Sequence, residues 1–202
     1  MKITIEKYNL DWASQFLKLK DSISNILSIF SAQIEHIGST SIPNLSAKPI
    51  IDIAIGMDTI DQLDEVVPIM MDFGFVYVSA YNSIMPERRF FVNLKNRGNF
   101  YSEYNDIQQI PHEEFHVNKI ANIHAWVFNS PDWTRHIAFR EYLKSNYEVR
   151  AAYQQLKEKL SNQNWANGNE YNDAKNEFIK REESKAIEWY NKNRLTFLLA
   201  DM

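Results

Sequence analysis

Hydrophobic residues recur every three or four positions near the start of the chain. They are Trp12, Phe16, Leu19, Ile23, Ile26 and Phe30. This spacing predicts one amphipathic helix over residues 8–30, with its apolar face turned to the core. Asn9 or Asp11 is a suitable residue to cap it. We therefore assign the aromatic residues of this helix to packing and not to function.

Short apolar runs separated by turns follow this helix. Residues 34–37 and 50–55 each predict a strand, and a loop of small and hydroxyl residues, 38–47, lies between them. Asp58 is a suitable cap for a second helix, which Gly74 ends. The apolar face of that helix consists of Ile60, Leu63, Val67 and Met70. Further strands are predicted at residues 75–79, 89–94, 115–120 and 123–128.

The remainder of the chain divides into an irregular segment and a helical part. Residues 95–111 show no clear period, which indicates a functional loop or an unrecognised strand. Ser130-Pro131 is typical of a helix start, and that helix should end near residue 144. Later helices are predicted at residues 149–160 and 171–190, with a turn at 161–169. We expect a single α+β domain with an α/β core over 1–128 and a helical subdomain over 129–202.

Composition excludes several kinds of protein. The 202 residues include 22 basic and 26 acidic side chains, for a net charge of −4, so no duplex nucleic acid partner is expected, although a local basic pocket remains open. The absence of Cys excludes disulfides and thiolate metal sites. The apolar runs are too short to cross a bilayer and no signal peptide is recognisable, so we expect a cytoplasmic protein without membrane contact.

One segment carries a long motif, H-x-G-S-T-x-x-P-x-L-x-x-K-P-x-x-D, running from His36 to Asp52. The motif resembles that of the GrpB family, a family of uncharacterised proteins. Further elements with the same resemblance are Trp12-x-x-x-Phe16, Phe139-Arg140-Glu141-Tyr142-Leu143, Tyr153 with Leu156-Lys157, and Tyr171 with Lys175. The family often has an H-x-H pair in its last strand. Here the matching residues are Asn122-Ile123-His124, so the first half of the pair is altered.

The resemblance implies a nucleotidyltransferase-like fold, with a mixed β-sheet flanked by helices. Enzymes of that larger group have a Gly-Ser pair followed by a strand that carries two acidic residues with one residue between them. It therefore implies binding of a nucleotide triphosphate with Mg²⁺, and transfer of a nucleotidyl or phosphoryl group to an unidentified acceptor. GrpB-like domains also occur fused to dephospho-CoA kinase, which suggests coenzyme A as another ligand.

The chemistry of the motif residues is consistent with phosphate binding. Gly38 allows close approach of the backbone to an anion, and the hydroxyl groups of Ser39 and Thr40 are hydrogen-bond donors. Asp52 lies inside an apolar strand, where a carboxylate must be paired, hydrogen-bonded or bound to metal. The second metal carboxylate should lie two residues further on, but Ala54 stands there.

Other residues are candidates for completing such a site. Glu114 is a candidate second metal ligand and catalytic carboxylate, and His124 is a candidate metal ligand, base or phosphate donor. His116 has the same chemistry as His124 but no counterpart in the family motif. The candidate substrate contacts outside the Gly-Ser loop are His36, Lys48, Arg89, Arg140 and Lys157, to which Tyr171 and Lys175 are weaker additions.

Arg88 and Arg89 enter the strand predicted at residues 89–94, and alternation allows only one of them to face the cleft. We expect this to be Arg89. Two hypotheses about function remain open: a metal-dependent nucleotidyltransferase, or a non-catalytic module that binds a nucleotide or coenzyme A and has lost the second carboxylate. A vestigial cleft in an interaction protein is a third. The oligomeric state is left open.

Overall fold

The computed structural model of the protein describes residues 2–166 and 168–200. Its helices are α1 (Asp11–Ile26), α2 (Ile60–Asp72), α3 (His112–Asn118), α4 (Pro131–Ser145), α5 (Tyr147–Ser161), α6 (Gly168–Asp173) and α7 (Asn176–Ala200). Its strands are β1 (Gln33–Ile37), β2 (Ile51–Met57), β3 (Val76–Tyr77), β4 (Arg89–Leu94) and β5 (Lys119–Val127). None of the described helices has the length and apolar character needed to cross a membrane.

The five strands form one mixed sheet in the order β1-β2-β5-β4-β3. The central strands β2 and β5 are parallel, whereas the other neighbours are antiparallel. Parallel pairing requires a long crossover, and the chain supplies it with α2, β3, β4 and α3 between the two strands. This architecture confirms the predicted α+β class with a mixed sheet flanked by helices.

One face of the sheet is covered by α1 and α2. Because side chains alternate along a strand, Ile51, Ile53 and Ile55 all point to this face. They meet the apolar faces of the two helices, including Trp12 and Leu63, and form the main core. The periodic apolar positions of the first predicted helix therefore have the packing role expected of them.

The opposite face of the sheet is polar at its centre. Its central strands present Asp52 and Ala54 of β2 and Asn122, His124 and Trp126 of β5. Helix α4 covers the end near Ala54 and Trp126, where Trp133 and Ile137 pack against these two residues. Helix α4 does not cover Asp52 and Asn122, which lie beside an open cavity.

The helical part of the chain is positioned by the loop between β1 and β2. Ile42 and Leu45 of this loop pack against Leu143 of α4 and Tyr153 of α5. Ser130 caps α4 as predicted, since its side-chain oxygen accepts a hydrogen bond from the Trp133 amide at 3.3 Å. The single helix predicted over residues 171–190 is instead two helices, α6 and α7, which are separated at residues 174–175.

The strand predicted at residues 115–120 is wrong. Pro111 followed by Glu113 and Glu114 is a favourable helix start, and helix α3 occupies His112–Asn118 before β5 begins. The irregular segment 95–111 has a short 3₁₀ turn and one bridge to β3. The cap of α2 is also one residue later than predicted, because the Thr59 hydroxyl, and not Asp58, accepts the Gln62 amide.

Leu63→Ala should test the core under α2, because Leu63 is fully buried there, with 0% of its surface exposed. The cavity left behind should lower the free energy of unfolding by about 2–5 kcal/mol in urea denaturation. The matched control is Leu17→Ala, at a position on α1 that is 56% exposed, where we expect a change within about 0.5 kcal/mol. Equal losses at both positions would contradict this placement of the core.

Candidate functional site

The floor of the candidate site is set by the register between β2 and β5. Asp52 lies opposite Asn122, and Ala54 lies opposite His124. Residues that are opposite each other in neighbouring strands share a face, so these four residues form one patch. The Asn122 side-chain amide donates a hydrogen bond to Asp52 Oδ1 at 2.8 Å. The polar side chains of two strands separated by 70 residues are thereby joined.

Gly38 packs directly against the Asp52 carboxyl group. Its φ is +70°, a conformation that L side chains rarely adopt, and an added Cβ would lie 2.3 Å from Asp52 Oδ2. No side chain fits in this space. Glycine is therefore required here both for the turn out of β1 and for the close approach of the Gly-Ser loop to Asp52.

The surroundings of Asp52 raise the pKa of its carboxyl group, although opposing influences act on it. Burial raises the pKa of this carboxyl group, whereas the hydrogen bond from Asn122 and the charges of Lys119, Lys175 and Lys48 lower it. No other carboxylate of the described residues contributes to the shift in the pKa of Asp52. The environment of Asp52 is thus cationic, which differs from that of a carboxylate cluster.

Four lysines from four parts of the chain line the same cavity, at Lys48, Lys119, Lys157 and Lys175. Burial lowers the pKa of Lys48 and Lys119 to about 8 and that of Lys157 and Lys175 to about 7. Mutual repulsion contributes, since Lys119 lowers the pKa of Lys48 and Lys48 lowers that of Lys175. Within the described part of the chain, none of the four ammonium groups has a carboxylate oxygen within 4 Å.

Tyr171 and Tyr153 hold three of these lysines in position. The ring of Tyr171 is contacted by the ammonium groups of Lys48, 4.4 Å from its centroid, and Lys175, at 4.3 Å. Lys157 lies 4.7 Å from the centroid of Tyr153 and donates hydrogen bonds to Ser39 Oγ at 3.2 Å and to the Ser46 carbonyl. The aromatic rings accept cationic charge on their faces, so they hold the lysines without neutralising them.

The cavity has a volume of about 790 Å³ and two chemically different ends. The lysine end contains Lys48, Lys157, Lys175, Asp52 and the Gly-Ser loop. Lys119 lies between the two ends, with its ammonium group 5.9 Å from the centroid of Phe90 and 5.8 Å from that of Phe115. The second end, which we call the arginine end, contains Arg88, His124 and His136 with an apolar wall of Val78, Ile84, Met85, Phe90, Ile110 and Phe115. A volume of this size suits a small-molecule ligand, and the two ends suit one with an anionic group and an apolar group.

A family model described as GrpB protein matches residues 2–185 of this chain. The chain belongs to the GrpB family. Its similarity to the UPF0157 protein YqkA of Bacillus subtilis is 29% identity over 188 residues, covering 93% of this chain and 48% of YqkA. The chain thus spans about half the length of that relative.

The fold is also similar to two solved structures. The conserved protein GrpB from Enterococcus faecalis matches with a TM-score of 0.73 and 27% identity, over 93% of this chain and 99% of the other. Cid1, described as an RNA terminal uridylyl transferase, matches with a TM-score of 0.46 and 13% identity, over 77% of this chain and 40% of Cid1. This second likeness is too distant to carry an argument about activity in the GrpB chain.

Arg89 does not face the cavity of this GrpB protein, contrary to the prediction. It lies on the helix-covered face, where it donates to Asp64 of α2 at 2.7 Å and to the Pro86 carbonyl. Arg88 lines the cavity instead, because alternation places it on the same face as Phe90 and His124. The prediction that Arg89 faces the cavity is therefore wrong, and the neighbouring Arg88 does so instead.

His36 also lies on the helix-covered face, since it is opposite Ile53 in the β1–β2 register. Its ring stacks on Phe16 of α1, with centroids 4.6 Å apart, and its Nε2 is 3.0 Å from Thr40 Oγ1. Burial and the nearby Arg140 lower the pKa of His36 to about 4, so the ring is neutral at pH 7. His36 and the buried Thr40 side chain therefore hold the loop in shape, and the imidazole does not line the cavity.

Arg140 has a similar supporting role outside the cavity. It forms ion pairs with Glu35 and Glu141, each at 2.6 Å, and donates to the His36 carbonyl at 2.8 Å. Those two carboxylates offset its charge. Lys157, by contrast, lines the cavity and donates a hydrogen bond to Ser39. Of the two predicted substrate contacts Arg140 and Lys157, only Lys157 therefore has its charge at the cavity.

The carboxylates of the described residues do not fit a two-metal centre. Glu114 is exposed on α3 and does not line the cavity. Among the described cavity-lining residues, the only carboxylate besides Asp52 is Asp173, an exposed residue of α6. Over residues 2–166 and 168–200 no group of three or more His, Asp or Glu side chains is placed to hold a metal ion. The side chain of His116 lies outside the described part of the chain.

Sequence reasoning missed several residues of the site. Lys119 carries no mark of function in the sequence, because it lies next to the polar Asn118 at the start of a strand. Arg88 was considered, but Arg89 was preferred to it. Asn122 was recognised only as a departure from the family pair, although it is the hydrogen-bond partner of Asp52. His136 has no motif, and its position on α4 brings it to the cavity only because α4 packs on the sheet.

Gly38→Ala should disrupt the site, because the new methyl group collides with Asp52. We expect a loss of stability of about 2 kcal/mol or more, and loss of ligand binding, measured by thermal melting and calorimetry. Gly98→Ala is a matched control, since Gly98 also has a positive φ (+44°) but nothing within 4 Å of the added Cβ. If the two variants behaved alike, the close packing of Gly38 on Asp52 would be irrelevant.

Proposed function

We propose that this GrpB protein binds a nucleotide and holds its phosphate chain at the lysine end of the cavity, without carrying out metal-centred transfer. The supporting observation is the group of four lysines, none of which has a carboxylate oxygen of the described residues within 4 Å. Lys48, Lys119 and Lys175 share the charge of one carboxylate, Asp52. Burying an unpaired ammonium group costs free energy. An oligophosphate entering the cavity would supply the missing charge, and the same interaction would provide its affinity.

The alternative, transfer of a nucleotidyl or phosphoryl group with Mg²⁺, has less support. Ala54 occupies the position of the second carboxylate, and it is fully buried, with 0% of its surface exposed. Its neighbour in the register is His124, whose pKa burial lowers well below its usual value, so this imidazole is neutral. With Asp52 surrounded by lysines, the donor set favours an anion over a pair of metal ions.

Binding of inorganic triphosphate, ATP, GTP and coenzyme A should be measured by calorimetry, each with EDTA and with Mg²⁺. We expect the triphosphates to bind in EDTA and to dissociate more readily as salt is added. Lys119→Gln should weaken binding roughly 10- to 100-fold, because one charge-assisted contact is lost. Lys159→Gln, on an exposed position of α5, is the matched control and should leave the Kd unchanged.

Two outcomes would contradict this proposal. Binding that requires Mg²⁺, together with turnover abolished by Asp52→Asn, would establish the transferase instead. Failure of all four ligands to bind or to raise the melting temperature would leave an interaction protein with a vestigial cleft. The unliganded Lys119→Gln variant should melt no lower than the parent at pH 7, because burial lowers the pKa of Lys119 more than the nearby Asp52 carboxylate raises it, so the folded protein disfavours the charged form.

The affinity for inorganic triphosphate should also fall with rising pH. Lys157 and Lys175, with pKa values of about 7, and Lys48 and Lys119, with pKa values of about 8, must be protonated to attract phosphate. The bound anion favours the charged form, so binding should take up protons between about pH 7 and pH 9. Calorimetry in buffers of different ionisation enthalpy measures this uptake, and a Kd that stayed constant over the range would contradict it.

A further inference from the structure

The arginine end of the cavity has a defined pattern of hydrogen-bonding groups. Arg88 Nη1 is 3.5 Å from His124 Nδ1, and Arg88 Nε is buried without a hydrogen-bond partner in the described residues. A guanidinium group only donates. The Nε atom is shielded from solvent, so a ligand in the cavity would meet the Nη groups of Arg88, of which Nη2 forms no hydrogen bond with the described residues.

His136 supplies an acceptor at the same end. Its Nδ1 is 2.7 Å from the Asp132 carbonyl oxygen, which can only accept, so Nδ1 carries the proton. Burial and Arg135 lower the pKa of His136 to about 4, so the ring is neutral and its Nε2 has a free lone pair. The rings of His136 and His124 are 6.2 Å apart, and Arg88 approaches His124, so all three residues line the same end of the cavity.

The surroundings of these groups suit a planar ring. The Arg88 guanidinium lies 5.1 Å from the centroid of Phe90 and 5.7 Å from that of Tyr81. The apolar wall of the arginine end adds aliphatic and aromatic surface. A nucleobase has apolar faces and a polar edge, so it would place its faces on this wall and its edge towards Arg88 and His136.

We infer that the cavity selects nucleotides whose base has a carbonyl group next to a ring N–H, as in guanine, hypoxanthine and uracil. Such a base offers an acceptor to Arg88 and a donor to His136. Adenine and cytosine have an amino group next to an unprotonated ring nitrogen, which reverses both roles and leaves buried polar groups unpaired. This inference rests on the proposed nucleotide binding and adds the class of base to it.

Two matched ligand pairs test the inference directly. Inosine triphosphate and ATP differ only at this edge of the purine, and UTP and CTP differ only at the corresponding edge of the pyrimidine. Calorimetry in EDTA should give a Kd at least about 10-fold lower for inosine triphosphate than for ATP, and for UTP than for CTP. Inorganic triphosphate is titrated alongside to measure the contribution of the lysine end alone.

Variants assign the preference to its residues. Arg88→Gln should reduce the inosine triphosphate to ATP ratio to within about threefold, whereas Arg97→Gln, outside the cavity, should retain it. A melting curve checks that Arg88→Gln is folded. If it is not, the comparison of the four nucleotides on the unaltered protein still decides the question.

The outcomes separate this inference from the proposed function. Equal Kd values within each pair, with inorganic triphosphate also bound, would overturn the base preference and leave nucleotide or polyphosphate binding intact. An unchanged ratio in a folded Arg88→Gln variant would overturn the assignment to Arg88. If neither the nucleotides nor inorganic triphosphate bound, both the inference and the proposed function would fail.

Discussion

The parallel pairing of β2 with β5 is the constraint on which the rest of the site depends. It places Asp52 beside Asn122 and Ala54 beside His124, although the two strands are far apart in the chain. A parallel pair needs a crossover, and here the crossover also carries β4, with Arg88 preceding it, to the other side of β5. One pairing thus brings both ends of the cavity to a single face of the sheet.

The second organising feature is the contrast between the charge of the chain and the charge of its cavity. The protein has a net charge of −4, but its cavity has four lysines and two arginines among its lining residues. Arg135 is paired with Asp132 and Glu183, whereas the lysines are supported by aromatic rings and by oxygens of the Gly-Ser loop. A cationic surface enclosed in a cavity attracts a small anion without making the whole protein bind polyanions such as duplex nucleic acid.

Some residues of the GrpB motif serve the shape of the loop and others serve the ligand position. Gly38 permits the contact with Asp52, and His36 and Thr40 hold each other under the loop. Arg140 fixes the backbone of β1 through the His36 carbonyl. A shared motif therefore identifies a structural unit as a whole, within which Ser39, Lys48 and Asp52 bring polar side chains to the cavity.

The sequence by itself determined the first helix, the strand-loop-strand unit around Gly38 and Asp52, and the family. These features depend on local periodicity and on a continuous motif, and both can be recognised from the order of the residues alone. It also indicated that Ala54 leaves Asp52 without a carboxylate two residues away. Only the tertiary structure decided that Arg88 and not Arg89 faces the cavity, that residues 112–118 are helical, and that Lys119 and His136 join the site. Alternation tells which residues of one strand share a face, but which face meets a given residue of another strand depends on register and on packing across the sheet.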